Sequence, residues 1–209
     1  GFGLWCWKPN IILDILNKIP EGDLLFYLDS ATIIEKNMEP VFKLIESKKN
    51  MFFYIGGFKK RDFRVRTWTK MKLLTHMSVN KLENILNKPQ VLGGIHGHIN
   101  NEKTKKLMRT WDKLCLNEQL MTFDLDNEDK GVNQHRQDQS ILSILVHLNN
   151  YPISIDITQF GSEDVQQHTK FINLHRKCIN APSLGIITAT TGSDLLEENI
   201  KSVQNQTYF

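Results

Sequence analysis

Cysteine is scarce in this chain. Its 209 residues include three, Cys6, Cys115 and Cys178, odd in number, far apart and without C-x-x-C spacing. That excludes a disulfide framework and a cysteine-built zinc site as working expectations, and a reducing compartment, the cytoplasm, fits best. No apolar run approaches the length of a membrane span, so no transmembrane segment is expected. Charge of one sign is nearly balanced. The formal net charge of +3 is too small to imply nucleic acid as a partner. The basic clusters Lys59-Lys60-Arg61 and Lys103, Lys105, Lys106 read as solvated faces or loop tips. Internal repeats and low-complexity tracts are missing too. Hydrophobic residues at 40% and charged residues at 23% are globular values, and the length suits one core, or one domain with part of another. The chain shows no signal peptide and opens Gly-Phe-Gly without a methionine, so its true N-terminus is expected to lie upstream.

What is present is an alternation of helical and strand patterns. Pro9 suits a first helical turn, and Ile11, Ile12, Ile15, Leu16 and Ile19 follow at helical spacing. Asp23–Leu28 is an apolar run bounded by Glu21-Gly22 and Asp29, the pattern of a buried strand. Pro40 starts a second helix through Val41, Leu44 and Ile45, and Met51–Ile55 is a second strand. Thr67 is expected to cap a helix carrying Trp68, Met71 and Leu74, and Asn80-Lys81-Leu82-Glu83 has the form of a capping box. Gln90–Ile99 reads as a strand broken by Gly93-Gly94, with antiparallel pairing open to it. Asn100 or Asn101 caps a long helix with Leu107, Trp111, Leu114 and Cys115 on one face. Residues 121–135 are irregular, Asp138 caps a helix over Gln139–Leu148, Tyr151–Phe160 alternates like a strand, and 161–182 is loop-rich. This order argues an α/β domain with a largely parallel, helix-covered sheet. The tail differs: a fresh strand at 184–190, then a helix capped by Asp194, read as one more βα unit.

Two carboxylates carry the chemistry. In open α/β sheets ligands bind beyond the carboxyl ends of strands, so Asp29 sits where an acid meets a phosphate-bound cation or a sugar hydroxyl, with Ser30 beside it. An acid closing a strand also simply shapes a turn. The D-x-D spacing that would give a cation two ligands is lacking, because Ala31 follows Ser30. Asp138 is the second acid. As a bare N-cap it needs no function, but His135, Arg136 and Gln139 put a ring, a fixed cation and an amide around it. That mixture can hold hydroxyls and offset leaving-group charge. Gly93 and Gly94 leave room for a flat ligand against a bare strand, or make a bulge. His96 and His98 share a strand face but lack an evident third metal ligand. Trp5, Trp7 and Lys8 suit a nucleotide base and phosphate, or the lip of a core. In Trp68-Thr69-Lys70 the tryptophan reads as core and Lys70 as a phosphate contact.

Five segments together resemble a known group. Gly1-Phe2-Gly3-Leu4-Trp5-Cys6-Trp7-Lys8-Pro9 resembles the G-Y-G-Y-W-x-W-K-P opening of a set of α/β nucleotide-sugar glycosyltransferases. Gly22–Ala31 is similar to their G-D-I-L-x-Y-x-D-A-G, Trp68-Thr69-Lys70 to W-T-K, Gln90–Gly94 to Q-x-x-G-G, and His135–Ile141 to H-R-x-D-Q-S-I. The resemblance covers roughly residues 1–160. It implies a Rossmann-like GT-A fold that binds a nucleoside diphosphate sugar, lacking here its first βα unit. Asp29 would take the D-x-D-like position beside the diphosphate and any Mn²⁺ or Mg²⁺, and Asp138 with Gln139 would face the transferred sugar. Thr188–Leu196 and Ile200–Tyr208 resemble the opening strand and helix of the large inverting glycosyltransferase superfamily.

The expected organisation is thus a glycosyltransferase domain over 1–175, a linker over 176–183, and the first βα unit of a second glycosyltransferase domain over 184–209. The expected reaction moves a sugar from a nucleoside diphosphate to a hydroxyl of a glycan, lipid or protein. Asp138 and Asp29 are the catalytic candidates. Trp7, Lys8, Ser30, Lys70, Gly93, Gly94, His135, Arg136 and Gln139 are the substrate-binding ones, and Asp29 is the metal candidate. Two other readings stand beside it. One is a nucleotide-sugar-binding or scaffold domain without turnover. The other is a phosphohydrolase with an aspartyl nucleophile, which would lack its second acid at Ala31.

Overall fold

The computed structural model describes residues 4–30, 32–55, 62–122, 124–126, 129–160, 170–174 and 186–190, the last by backbone alone. The expected linker, the helix after Asp194, Ala31, Cys178, the Lys59–Arg61 cluster and the loop over 161–169 lie outside these residues. The elements are α1 (Lys8–Lys18), β1 (Leu24–Leu28), β2 (Thr32–Ile34), α2 (Glu39–Lys48), β3 (Asn50–Tyr54), a 3₁₀ turn (Val65–Thr67), α3 (Met71–His76), α4 (Glu83–Leu86), β4 (Val91–Ile99), α5 (Glu102–Cys115), α6 (Glu118–Met121), α7 (Gln137–Leu148), β5 (Ile153–Ser154), β6 (Ile172–Leu174) and β7 (Ile186–Thr190).

The chain forms a mixed α/β fold on a five-stranded sheet of order β5-β3-β4-β1-β7, with a small antiparallel pair β2-β6 beside it. The expectation of a largely parallel sheet is corrected here. Among the described strands of this sheet only β3 and β5 pair in parallel, whereas β4 runs antiparallel to both β1 and β3, and β7 antiparallel to β1. The reason lies in the excursion between β3 and β4. It returns the chain to the end of β3 that it left, where the Ile55 amide donates to the Gln90 carbonyl at 2.9 Å, so β4 must run back. The joined β1 and β3 keep the common direction of a helical crossover through α2.

β1 shows why an unbroken apolar run reads as a strand. All five residues are buried, but alternately into two interiors. Leu25 and Tyr27 enter a core with Ile12, Leu16, Trp111, Ile141 and Leu145, from α1, α5 and α7. Leu24, Phe26 and Leu28 enter another with Val41, Phe42, Ile45 and Ile172. The sheet therefore has helices on both faces.

Local rules held in some places and gave way in others. Pro9 lies in the first turn of α1. Asn101 caps α5, accepting from the Thr104 amide at 2.8 Å, while Asn100 ties β4 to the α1–β1 turn through the Ile19 and Pro20 carbonyls. Thr67 caps nothing: it closes the 3₁₀ turn, its hydroxyl reaching the Arg64 carbonyl at 2.9 Å. Asp129 supplies the cap of α3 from far along the chain, accepting the Met71 amide at 2.5 Å. The Asn80–Glu83 box does not form, because Glu83 pairs with Arg66 and with Asn87 instead. β4 is continuous through its glycines, though its pairing with β3 shifts register there. Of the strand expected over Tyr151–Phe160 only Ile153–Ser154 forms; β6 is a strand in a stretch read as loop-rich, and β2 is a strand to which no element was assigned. Asp138 is not a cap: α7 begins at Gln137, and Asp138 stands inside its first turn.

Candidate functional site

Three elements converge at the end of β1. Asp29 follows the last strand residue, and its amide donates to the Gly94 carbonyl at 2.9 Å, continuing the β1–β4 ladder by one step. Its carboxylate lies across Gly94. A Cβ there would stand 2.7 Å from Asp29 Cγ, so only glycine lets the carboxylate lie flat on β4. Lys8 opens α1, after a turn in which Leu4 and Trp5 take left-handed φ values of 54° and 61°. Asp138 stands in the first turn of α7, just after Gln137 at φ 41°. Left-handed backbone at a residue other than glycine is costly and marks a position held by its surroundings.

The two acids meet on one ammonium. Lys8 Nζ stands 3.1 Å from Asp29 Oδ1, 3.4 Å from its Oδ2, and 3.5 Å from Asp138 Oδ2. It donates to the Gly93 carbonyl at 3.2 Å and lies 5.7 Å from the centre of the Tyr27 ring. Tyr27 donates its hydroxyl to Asp29 Oδ1 at 2.8 Å, and Trp111 Nε1 donates to the backbone carbonyl of Asp138 at 3.0 Å. Lys8 and Asp138 have side chains 5% and 6% exposed, while that of Asp29 is 39% exposed, so the trio opens to solvent at Asp29.

Burial sets the protonation chemistry. It pushes the Asp138 carboxyl up to about 6, against the pull of Lys8 and with the help of Asp29. Burial, aided by the Asp29 charge and the hydrogen bond to it, holds the Tyr27 hydroxyl far above its ordinary range, so it stays a donor. Two polar atoms at the site have no hydrogen-bond partner among the described residues. Asp138 Oδ2 lies at ion-pair distance from Lys8 without hydrogen-bond alignment, and Gln139 Nε2 is likewise unsatisfied. Gln139 packs on the second glycine: its Cβ would stand 3.0 Å from a Cβ at Gly93. An acid that is ion-paired but not hydrogen-bonded, and an amide without an acceptor, are groups that ligand hydroxyls can satisfy.

The remaining predicted residues fall elsewhere. Trp7 is half-buried at the start of α1, and Ser30 half-buried beside Asp29. His135 is buried and structural. Its Nε2 donates to the Leu120 carbonyl at 2.7 Å, and burial lowers the ring to about 4. Lys70 reaches the Thr122 carbonyl and hydroxyl at 3.1 and 3.0 Å, beside a separate cavity of about 310 Å³ whose walls include Asp124, Asp126 and Asp129. Arg136 lies over the Trp68 ring at 4.5 Å. Tyr27 and Trp111 are additions that the sequence reading missed. Tyr27 had a signal, since a residue two before Asp29 on a strand points to the same side; Trp111 had none.

A divalent ion fits poorly. Among the described residues no group of three or more His, Cys, Asp or Glu side chains could hold one, and the Lys8 ammonium already sits against both oxygens of Asp29. Three of the four nitrogens of the histidine pair are engaged, and the fourth, the buried His96 Nε2, has no hydrogen-bond partner among the described residues. His98 Nδ1 meets Asn50 Oδ1 at 2.9 Å and therefore donates, which leaves His98 Nε2 to accept from His96 Nδ1 at 2.7 Å. Burial lowers both rings, His98 to about 3, so both are neutral.

No protein-family model matches the chain, and no curated protein is significantly similar to it. Among the described residues no helix is long and apolar enough to cross a membrane.

Proposed function

We propose that this chain is a nucleotide-sugar-dependent glycosyltransferase domain of GT-A type, working in the cytoplasm. It moves a sugar from a nucleoside diphosphate to a hydroxyl of a glycan, lipid or protein. The observation that carries the reading is the meeting of Asp29 and Asp138, distant in sequence, on the one ammonium of Lys8 at the rim of the sheet. The five motifs in order support it, since three of them supply Lys8, Asp29 and Asp138 themselves.

Each residue then has a role. Asp29, the exposed member, orients the donor at its diphosphate or ribose side. Asp138, with a carboxyl near 6, is matched to moving a proton at neutral pH or to anchoring a sugar hydroxyl. Gln139 donates to a second hydroxyl, and the bare backbone of Gly93 and Gly94 gives the ring its floor. The tail over 184–209 carries, in this reading, the opening strand and helix of a second glycosyltransferase domain, its strand β7 lying against β1 here.

The phosphohydrolase reading weakens at the same place. Asp29 lacks the partner acid that such an aspartyl nucleophile requires, because Ala31 stands two residues on. The test is saturation-transfer NMR with UDP and GDP, followed by a panel of nucleotide sugars on wild type and Asp138→Asn. The variant should lose transfer and hydrolysis and keep nucleotide affinity. Unchanged turnover would remove Asp138 from the site. Nucleotide binding with no turnover of any sugar in the wild type would make this a binding domain instead.

A further inference from the structure

We propose that the buried ammonium of Lys8 is itself the cation of this site, so that the chain takes up a nucleoside diphosphate without a divalent metal ion. The proposal rests on the nucleotide-sugar reading above. A diphosphate brings at least two negative charges, as an order-of-magnitude count at neutral pH, to a rim where Asp29 is the exposed side chain. Such a group is repelled unless a positive charge stands behind the carboxylate. Lys8 stands there, 3.1 and 3.4 Å from the two Asp29 oxygens.

The ammonium is fixed rather than borrowed. It is held from three further directions, by Asp138 at 3.5 Å, the Gly93 carbonyl at 3.2 Å and the face of Tyr27 at 5.7 Å. Its side chain is 5% exposed, and its backbone lies in the proline-started first turn of α1. A divalent ion bound to Asp29 would take oxygens at about 2.0–2.6 Å. It would then be in near contact with a like charge, with little water between them to screen it. Lys8 and such an ion therefore compete for one place. The second carboxylate that a metal would recruit, Asp138, already faces the same ammonium. Tyr27 takes a lone pair of Asp29 Oδ1 as well.

The experiment measures UDP and GDP affinity by calorimetry on the wild-type chain in EDTA and again in Mn²⁺, and Mn²⁺ binding alone by electron paramagnetic resonance. The expected result is an affinity equal within about twofold in the two conditions and no Mn²⁺ bound by the free protein. Lys8→Met should bind the nucleotide at least about tenfold more weakly in EDTA, since the two acids then face the diphosphate uncompensated. It should also acquire Mn²⁺ binding that the wild type lacks. A wild type that binds UDP or GDP only with Mn²⁺ overturns the inference and leaves the nucleotide-sugar reading standing. A wild type that binds neither nucleotide in either condition overturns both. A folded Lys8→Met that keeps wild-type affinity in EDTA also overturns the inference. If Lys8→Met does not fold, the two wild-type conditions decide alone.

Discussion

Lys8 and Lys70 are both buried lysines that read, in sequence, as phosphate contacts, and they end in opposite electrostatic settings. Lys8 is clasped by two carboxylates and a carbonyl. Among the described residues the Lys70 ammonium bonds neutral oxygens of Thr122, and burial lowers it, with Lys72 adding to the effect. Its acidic neighbours Asp124, Asp126 and Asp129 act from further off. The difference separates a charge built into a constellation from a charge that has merely been covered. Removing the first strands two carboxylates and a carbonyl, while removing the second strands a hydroxyl and a carbonyl.

That contrast can be broken by substitution. Lys8→Met leaves the buried Asp138 unpaired and should cost about 3–5 kcal/mol of stability, the range for breaking a buried pair. Lys70→Met should cost about 1 kcal/mol, the scale of a neutral hydrogen bond. Denaturant midpoints on both variants test the contrast, and equal losses would erase it.

The next effect sharpens the Lys8 side. The Asp138 carboxyl is raised to about 6 in the fold, above its unfolded value, so the stability it contributes is present at low pH and lost as pH climbs through about 4 to 6. Wild type should therefore lose on the order of 2–3 kcal/mol across that window relative to Asp138→Asn. Denaturation at several pH values measures it. A flat difference between the two proteins would place the acid in water.

A further change is at Gly94. Alanine there would press on the Asp29 carboxylate and should cost about 1–3 kcal/mol, with UDP affinity falling more than stability does. Gly22→Ala makes a control of another kind: a Cβ there would meet nothing within 4 Å, and only its φ of 93° resists substitution. If the Gly22 variant lost nucleotide affinity as well, the effect at Gly94 would not belong to Asp29.

Much of the frame was legible, for reasons that can be traced. The β1 run, the α5 face and the Asn101 cap are decided by neighbours within a few residues, and these survive folding. The direction of β4 is not local. It is set by where the chain returns after residue 55, which no periodicity records. Caps failed where a remote group did the work, as Asp129 does for α3. Asp138 and Lys8 could be named as residue types, but their meeting could not. It depends on a left-handed Gln137, a position where sequence habit expects glycine or asparagine. His135 and Lys70 sat in convincing motifs and proved to be ties between α3, α6 and the start of α7.

β1 has no side turned to water, and its residues are shared out between two separate interiors. The height of Asp29 above the rim is accordingly a compromise struck by two packings at once. Repacking Ile45 or Phe42 beneath one face, or Leu16 or Ile141 above the other, would tilt the same short rod and carry the acid with it. Mutations far from the rim, on either side of the sheet, should thus reach Asp29 through a lever only five residues long.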